Sequence, residues 1–323
     1  MRFIKTETNI NFIGIKNIAF YLSIACIAIS FMSLIIHRGP RLGVDFAGGT
    51  LIQIKFTSAA RIDDVKSGLG SVGLGKSSVQ QFGEKADNEF LIRTESTYGS
   101  GEGFTTDIKK ALESSAGDQV EIRRVEMVGP QVGEDLKKKA LFAMFYALLF
   151  ITIYISGRFE LKWILSGVVA SALIGAVYIF NLFNVSIPYL IGAALMVSLV
   201  VVWFLELKFA MGAIVALMHD VIITVGIFSI FDKEFTLPII AALLTIIGYS
   251  LIDTIIIFDR IRENTRKHHK KPLVFIINRS INETLSRTIL TSLTTLIVVV
   301  TLFVLGGGII HDFAFALIIG VLV

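Results

Sequence analysis

PIIAALLTIIGYSLIDTIIIFDRIREN at 238–264 and INETLSRTILTSLTT at 281–295 are the most informative stretches of this sequence. The first predicts an apolar helix long enough to cross a bilayer, with one acid, Asp253, inside its hydrophobic run. The second predicts another apolar helix that begins at Arg287, with a stripe of Thr and Ser residues behind it. An ionisable residue inside a membrane-length segment is costly, so Asp253 predicts a functional site with a partner nearby.

The composition is that of a polytopic membrane protein. The chain has 323 residues, of which 54% are hydrophobic and 17% charged, and its mean hydropathy is +0.74. The single cysteine, Cys26, lies in the first apolar run, which excludes an intramolecular disulfide. Runs of about 20 apolar residues predict membrane spans at 18–36, 138–156, 163–182, 186–204, 209–230, 237–258, 288–305 and 311–323.

The segment 37–137, between the first two spans, has the mixed charge and alternating pattern of a folded domain. Four alternating runs predict strands, and two runs of helical spacing predict amphipathic helices. The resulting βαββαβ order is that of a ferredoxin-like α+β domain. In chain order the runs are LIQIKF (51–56), RIDDVKSGL (61–69), SVQQF (78–82), EFLIRT (89–94), TTDIKKALES (105–114) and QVEIRRVEMV (119–128).

Loop charge predicts the orientation of the bundle 138–323. The segment 259–287 carries eight Lys or Arg residues against three acids, which predicts a basic cytoplasmic loop. Counting spans backwards places residues 1–17 in the cytoplasm and the ferredoxin-like domain outside the cell. Because this loop has no aromatic interleaving, contact with membrane lipids explains its charge better than nucleic acid does.

Asp253 and Arg287 are the candidate site. A buried carboxyl group can exchange between protonated and ionised forms, which is what a proton-carrying site needs. Arginine stays charged, so Arg287 can act as a fixed counter-charge that shares its helix face with Thr291. The alternatives are that Asp253 reaches back to the cytoplasmic interface near Asp259, and that Arg287 snorkels there.

Other polar residues of the spans predict supporting roles. His219 and Asp220 lie in the middle of 209–230, where two ionisable groups are expensive unless they face the bundle interior. They form either a proton relay with the site or a buried structural pair. Hydrogen bonds near the Asp253 carboxyl are expected from Tyr249, Ser250 and Thr254.

Several motifs, in order, resemble the SecF family, the smaller half of the SecD–SecF accessory complex of bacterial secretion and similar to resistance-nodulation-division transporters. GVDFAGG at 43–49 holds Asp45, Phe46, Gly48 and Gly49, and VGPQVG at 128–133 holds Gly129 and Pro130. The others are RFE at 158–160, His219-Asp220, the 243–264 stretch around Asp253, and LSRTILTSLTT at 285–295.

This resemblance implies a multi-pass protein of the bacterial inner membrane whose N-terminus is cytoplasmic. It also implies that the proton motive force helps to draw unfolded polypeptides out of the SecYEG translocon, with a SecD-like subunit and a YajC-like small subunit as partners. Asp253 and Arg287 would be the proton-transport pair, and Asp220 is predicted from its position to support them, either by relaying protons or by fixing helix packing. The sequence has no zinc-ligand spacing, nucleophile triad or nucleotide-binding loop, so neither a chemical enzyme nor a metal site is expected, and the proton gradient takes the place of a cofactor.

The chain departs from the family pattern at three places. Residues at about 158–205 form an apparent extra hairpin, Ile252 stands where the family usually has Asn, and the last span is short. Two other functions therefore stay open. One is half of a proton-driven exporter of small molecules or lipids, and the other is a membrane scaffold that transports nothing.

Overall fold

The computed structural model describes residues 9–82, 88–94, 102–160 and 206–323, with isolated positions between 161 and 205. These residues form a helical bundle and a small sheet domain that is inserted after the first long helix. The predicted spans 163–182 and 186–204, and with them the extra hairpin, lie outside the continuously described ranges.

The sheet domain has the predicted βαββαβ order, which confirms the ferredoxin-like fold. Its sheet is antiparallel throughout, in the order β2-β3-β1-β4. A short helix, α2, precedes it. The bounds are α1 Lys16–Ile36, α2 Val44–Ala47, β1 Gly49–Phe56, α3 Ile62–Ser71, β2 Ser78–Phe82, β3 Glu89–Thr94, α4 Glu102–Ala116 and β4 Val120–Val128.

The alternation of β1 places one set of its side chains under the two helices. Ile52, Ile54 and Phe56 are buried against Val65 of α3 and Leu112 of α4 in a single apolar cluster. The opposite face of the sheet carries the polar residues of the alternation. Burying one face in this way fixes the strand register, because a slip of one residue would turn the apolar set outward.

The bundle consists of long helices that match the predicted spans. Among the described residues, five helices are long and apolar enough to cross a membrane, and Ile310–Leu322 is a shorter apolar helix. Helix α6 packs against α1, α5 and α7, and helices α7, α8 and α9 pack against one another. The bounds are α5 Pro130–Glu160, α6 Lys208–Ile230, α7 Leu237–Lys267, α8 Leu273–Leu305 and α9 Gly308–Leu322.

The segment 259–287 is not the basic loop that was predicted. Helix α7 continues to Lys267 and α8 begins at Leu273, so only 268–272 connect them. The prediction that a helix starts at Arg287 is therefore wrong, because this residue lies inside α8. The two helices extend past their apolar spans as a charged helical hairpin.

Charged pairs at helical spacing explain why these extensions stay helical. Glu263 pairs with Lys267 at 2.6 Å, and Arg279 pairs with Glu283 at 2.8 Å, each four residues apart. Such pairs stabilise a helix by about 0.2–0.5 kcal/mol each. Between the helices, the buried Asn264 amide donates hydrogen bonds to Ser280 and Glu283 at 3.0 and 2.9 Å.

Helices α1 and α6 approach closely through small residues. A Cβ atom at Gly226 would clash with Ser30 of α1, and Ser33 and Ser229 share a hydrogen bond of 2.8 Å one turn further along. Small residues allow this approach because helices in lipid associate by close packing and interhelical hydrogen bonds. Gly248 of α7, by contrast, has open space where a Cβ atom would lie.

We expect Gly226→Ala to destabilise the chain by about 1–3 kcal/mol, because the added methyl group overpacks the α1–α6 contact. Gly248→Ala is the matched control. It should be neutral or slightly stabilising, since alanine is the better helix former by up to ~1 kcal/mol. Thermal unfolding of the purified chain in nanodiscs measures both, and equal melting temperatures for the two variants would contradict the packing described.

Candidate functional site

Asp253 of α7 faces the α8 region that contains Arg287. The carboxyl group is half-buried, and the guanidinium group of Arg287 is the charge that acts on it. Among the described residues, no direct ion pair joins the two side chains. The pair is therefore close enough to interact electrostatically without being locked together.

Thr288 of α8 also acts on the Asp253 carboxyl group, and the sequence did not predict this role. Its hydroxyl group faces Asp253 closely enough to act on the carboxyl group, yet it is buried and makes no hydrogen bond of proper geometry in the described structure. A sequence signal exists, because Thr284, Thr288 and Ser292 recur every four residues and so lie on one face of α8.

The predicted supporting residues of α7 do not bond to the carboxyl group. Tyr249 donates its hydroxyl hydrogen to Ser292 at 3.3 Å, which links α7 to α8 one turn from Asp253. Ser250 and Thr254 are half-buried, and neither side chain makes a hydrogen bond within the described ranges. Thr291 bonds back to carbonyl groups of its own helix.

His219 and Asp220 form a separate pair on α6. Nδ1 of His219 lies 2.9 Å from Oδ1 of Asp220, whose residue is buried. Thr224 donates its hydroxyl hydrogen to the Asp220 carbonyl oxygen. All hydrogen bonds that the structure describes for this pair lie within α6, so the structure does not join it to Asp253 or Arg287.

The site lies on a face of α7 and α8 that no other continuously described segment covers. Arg287 and Thr291 are exposed, and Ile252 beside the acid is 57% exposed. A charged side chain that faces lipid costs about 2.5–3.5 kcal/mol at the centre of a membrane helix, and Arg287 lies at the charged end of its apolar run, where the cost is reduced by snorkelling. A protein partner that covers this face would remove the remaining cost.

The glycine motifs meet at the base of the sheet domain. Gly48 has φ +74°, and a Cβ atom there would lie 2.9 Å from Cα of Pro130, the first residue of α5. Gly49 pairs with Val128 across the sheet, and Phe46 is buried beneath this contact. The motif glycines thus provide the joint between the domain and the bundle. Gly129 has open space around its Cα.

The comparisons with known proteins decide the family. A family model described as "Protein export membrane protein SecD/SecF, C-terminal" matches residues 107–196 and 171–323, and a "SecD/SecF GG Motif" model matches 33–60. The protein translocase subunit SecF of Magnetococcus marinus is 42% identical over 318 residues, which is 97% of this chain and 86% of that protein. The chain belongs to the SecF family.

Two further similarities extend this result. The protein translocase subunit SecF of Vibrio alginolyticus is 38% identical over 320 residues, 99% of this chain and 86% of the other. The crystal structure of SecDF from Thermus thermophilus, a translocon-associated membrane protein, matches with a TM-score of 0.71 and 27% identity. That match covers 99% of this chain and 37% of the SecDF chain, so this chain spans about a third of it.

We expect Arg287→Lys to abolish the ability of the chain to support secretion in a SecF-depleted strain. A lysine ammonium group lacks the spread guanidinium charge and loses its proton more readily when desolvated, so it is a poor fixed counter-charge. Arg279→Lys, on the same helix and paired with Glu283, is the control and should be mild. If Arg287→Lys is equally mild, Arg287 merely snorkels to the interface.

Proposed function

We propose that this SecF-family chain is a proton-coupled accessory subunit of the protein translocase, which promotes polypeptide export across the bacterial inner membrane. The observation that carries the proposal is Asp253 on one membrane helix opposite Arg287 on the next. Asp253 lies inside an otherwise apolar segment and Arg287 lies at the charged end of another, and ionisable groups within membrane helices mark ion pathways and relays.

Asp253 and Arg287 suit a cycle in which the carboxyl group is protonated in one step and deprotonated in the other. Asp253 lies 16 residues after Leu237, the start of α7, or ~24 Å along the helix at 1.5 Å per residue. A carboxyl group at that depth exchanges between a neutral and a charged form, while arginine keeps its charge. Protonation would remove the attraction to Arg287, and deprotonation would restore it.

A SecD-like subunit is the proposed cover for the open face of α7 and α8. The matched SecDF chain is longer than this one, which covers 37% of it, and its remainder represents such a partner. Covering Arg287 and Ile252 would take the charge out of lipid and close the site. The SecYEG translocon and a YajC-like subunit are the further partners that the family suggests.

The orientation follows the positive-inside tendency. The charged helical hairpin around the 268–272 connector would be cytoplasmic, together with the N-terminus, and the ferredoxin-like domain would lie outside. A shift of α7 and α8 after protonation would carry the domain between two orientations. Work on an exported polypeptide then requires that the two orientations differ in their affinity for it.

Export in a SecF-depleted bacterium tests this proposal. The chain should restore export, and Asp253→Asn should not, because an amide cannot take up and release the proton. Asp259→Asn is the matched control, six residues further along α7. It removes an exposed ion pair with Arg158 of 2.9 Å, worth about 0–1 kcal/mol, and should restore export fully.

A second experiment measures export after the proton gradient has been removed. Export by the wild-type chain should fall to the Asp253→Asn level when a protonophore collapses the gradient under conditions that keep ATP constant. Comparable amounts of each variant in the membrane fraction exclude a folding defect. If the wild-type chain and Asp253→Asn restore export equally, the proposal is wrong and a scaffold role is favoured.

A further inference from the structure

The chain just before the sheet domain is bonded to the connector that leads into α7. Leu42 and Phe235 form a parallel β-bridge. The amide of Gly43 donates to the Phe235 carbonyl oxygen, and the amide of Phe235 donates to the Arg41 carbonyl oxygen, each at 2.7 Å. The domain is therefore attached to the start of the helix that carries Asp253, although the two are far apart in sequence.

Asp45 bonds directly to the first residue of that helix. Its Oδ2 atom accepts a hydrogen bond of 2.8 Å from the Leu237 amide. The first amides of a helix have no partner within the helix, and the side chain of Thr236, the residue before α7, makes no capping bond here. A carboxylate from another element thus caps α7, where the helix dipole favours negative charge.

Partly buried ion pairs add a side-chain connection from the sheet. Arg93 of β3 pairs with Glu234 at 2.8 Å, and both side chains are less than one-fifth exposed, at 17% and 16%. The same guanidinium group donates to the Leu42 carbonyl oxygen, and Arg41 also reaches Glu234 at 3.4 Å. We call these contacts the domain clip: Arg41, Leu42, Asp45 and Arg93 with Glu234, Phe235 and Leu237.

The clip differs in kind from the other connections of the domain. Helices α1 and α5 join the domain through the chain itself, and both pack against α6. The clip instead reaches α7 through hydrogen bonds and ion pairs, which can rearrange while the chain stays intact. Helix α7 runs without a break from Leu237 to Asp253 and beyond, so a displacement at the acid moves the capped end as well.

We propose that Asp45 is a positioning residue that transmits the movement of α7 to the external domain through the clip. This inference rests on the proposed proton-coupled function. It gives the acid of the glycine motif a role that the glycines cannot fill, since Gly48 serves the separate contact with Pro130. Such coupling requires an element with two arrangements, and the inference gives this role to the clip, which connects α7 to the sheet.

Distance measurements between spin labels test the clip on the full chain with its SecD-like partner in nanodiscs. The labels replace exposed Lys66 on α3 and exposed Lys208 at the start of α6, in a Cys26→Ser background. Asp253→Asn mimics the protonated site. It should shift the distance distribution, and Asp45→Ala should abolish that shift while the melting temperature and the distance with Asp253 intact are retained.

Control variants separate coupling from folding. Asp45→Asn keeps an oxygen acceptor and should retain part of the shift, and Asp63→Ala, an exposed acid of the same domain, should retain all of it. If Asp45→Ala does not fold, Glu234→Gln tests the same clip through the Arg93 pair. An undiminished shift in Asp45→Ala, or in Glu234→Gln when that variant replaces it, overturns the inference.

The proposed function and the clip fail in different ways. If Asp253→Asn loses export but shifts no distance, the clip inference is overturned and proton coupling stands. If Asp253→Asn retains export, the proposed function is overturned, and a distance shift abolished by Asp45→Ala would still support the clip as a mechanical link. Export measured with Asp45→Ala should fall with the shift, because the transmitted movement is then lost.

Discussion

The charge held inside apolar helices is the constraint on which the rest of this structure depends. Arg287 stays ionised, so the segment that carries it needs a counter-charge and a cover. Two hydrogen bonds between α7 and α8 keep the Asp253 carboxyl group beside the helix that carries Arg287. Tyr249 bonds Ser292 on one side of Asp253, and Asn264 bonds Ser280 on the other. Between them, the two helices leave the acid half-buried and without a fixed ion pair.

The joint between the membrane bundle and the sheet domain follows from the same constraint. For the proposed proton coupling to do work outside the membrane, the helix that carries Asp253 must be attached to the external domain. The glycine motif at 43–49 attaches the domain in two ways, by close packing and by a hydrogen bond. Gly48 allows the domain to sit against Pro130 at the start of α5, and Asp45 holds the start of α7. Rigid packing and a polar cap thus come from one short segment.

The sequence predicted the sheet domain almost to the residue, because period-2 alternation and helical spacing are local signals. SVQQF and EFLIRT form β2 and β3 with the bounds expected. The membrane helices that the structure describes were found for a similar reason, since an apolar run of spanning length has few alternatives. Family membership followed from motifs that local pattern and order make specific.

Three features were not predicted: the continuation of α7 and α8 beyond the membrane, the role of Thr288, and the contact between two distant segments. The charge of 259–287 indicated a loop, whereas the ion pair between Glu263 and Lys267, at helical spacing, favours continued helix. Thr288 was missed because the polar stripe was drawn through Arg287 and Thr291. The bond from Asp45 to Leu237 joins residues 192 positions apart, and no local pattern encodes it.

The protonation state of Asp253 is the most direct measurement of the central claim. Infrared difference spectroscopy after a pH jump, on the complex with the SecD-like partner in proteoliposomes, detects the carbonyl stretch of a protonated carboxyl group. We expect a band that appears on acidification in the wild-type chain and in Asp259→Asn, and that is missing in Asp253→Asn. The same band in Asp253→Asn, or its absence from the wild-type chain, would contradict a proton-carrying role for this residue.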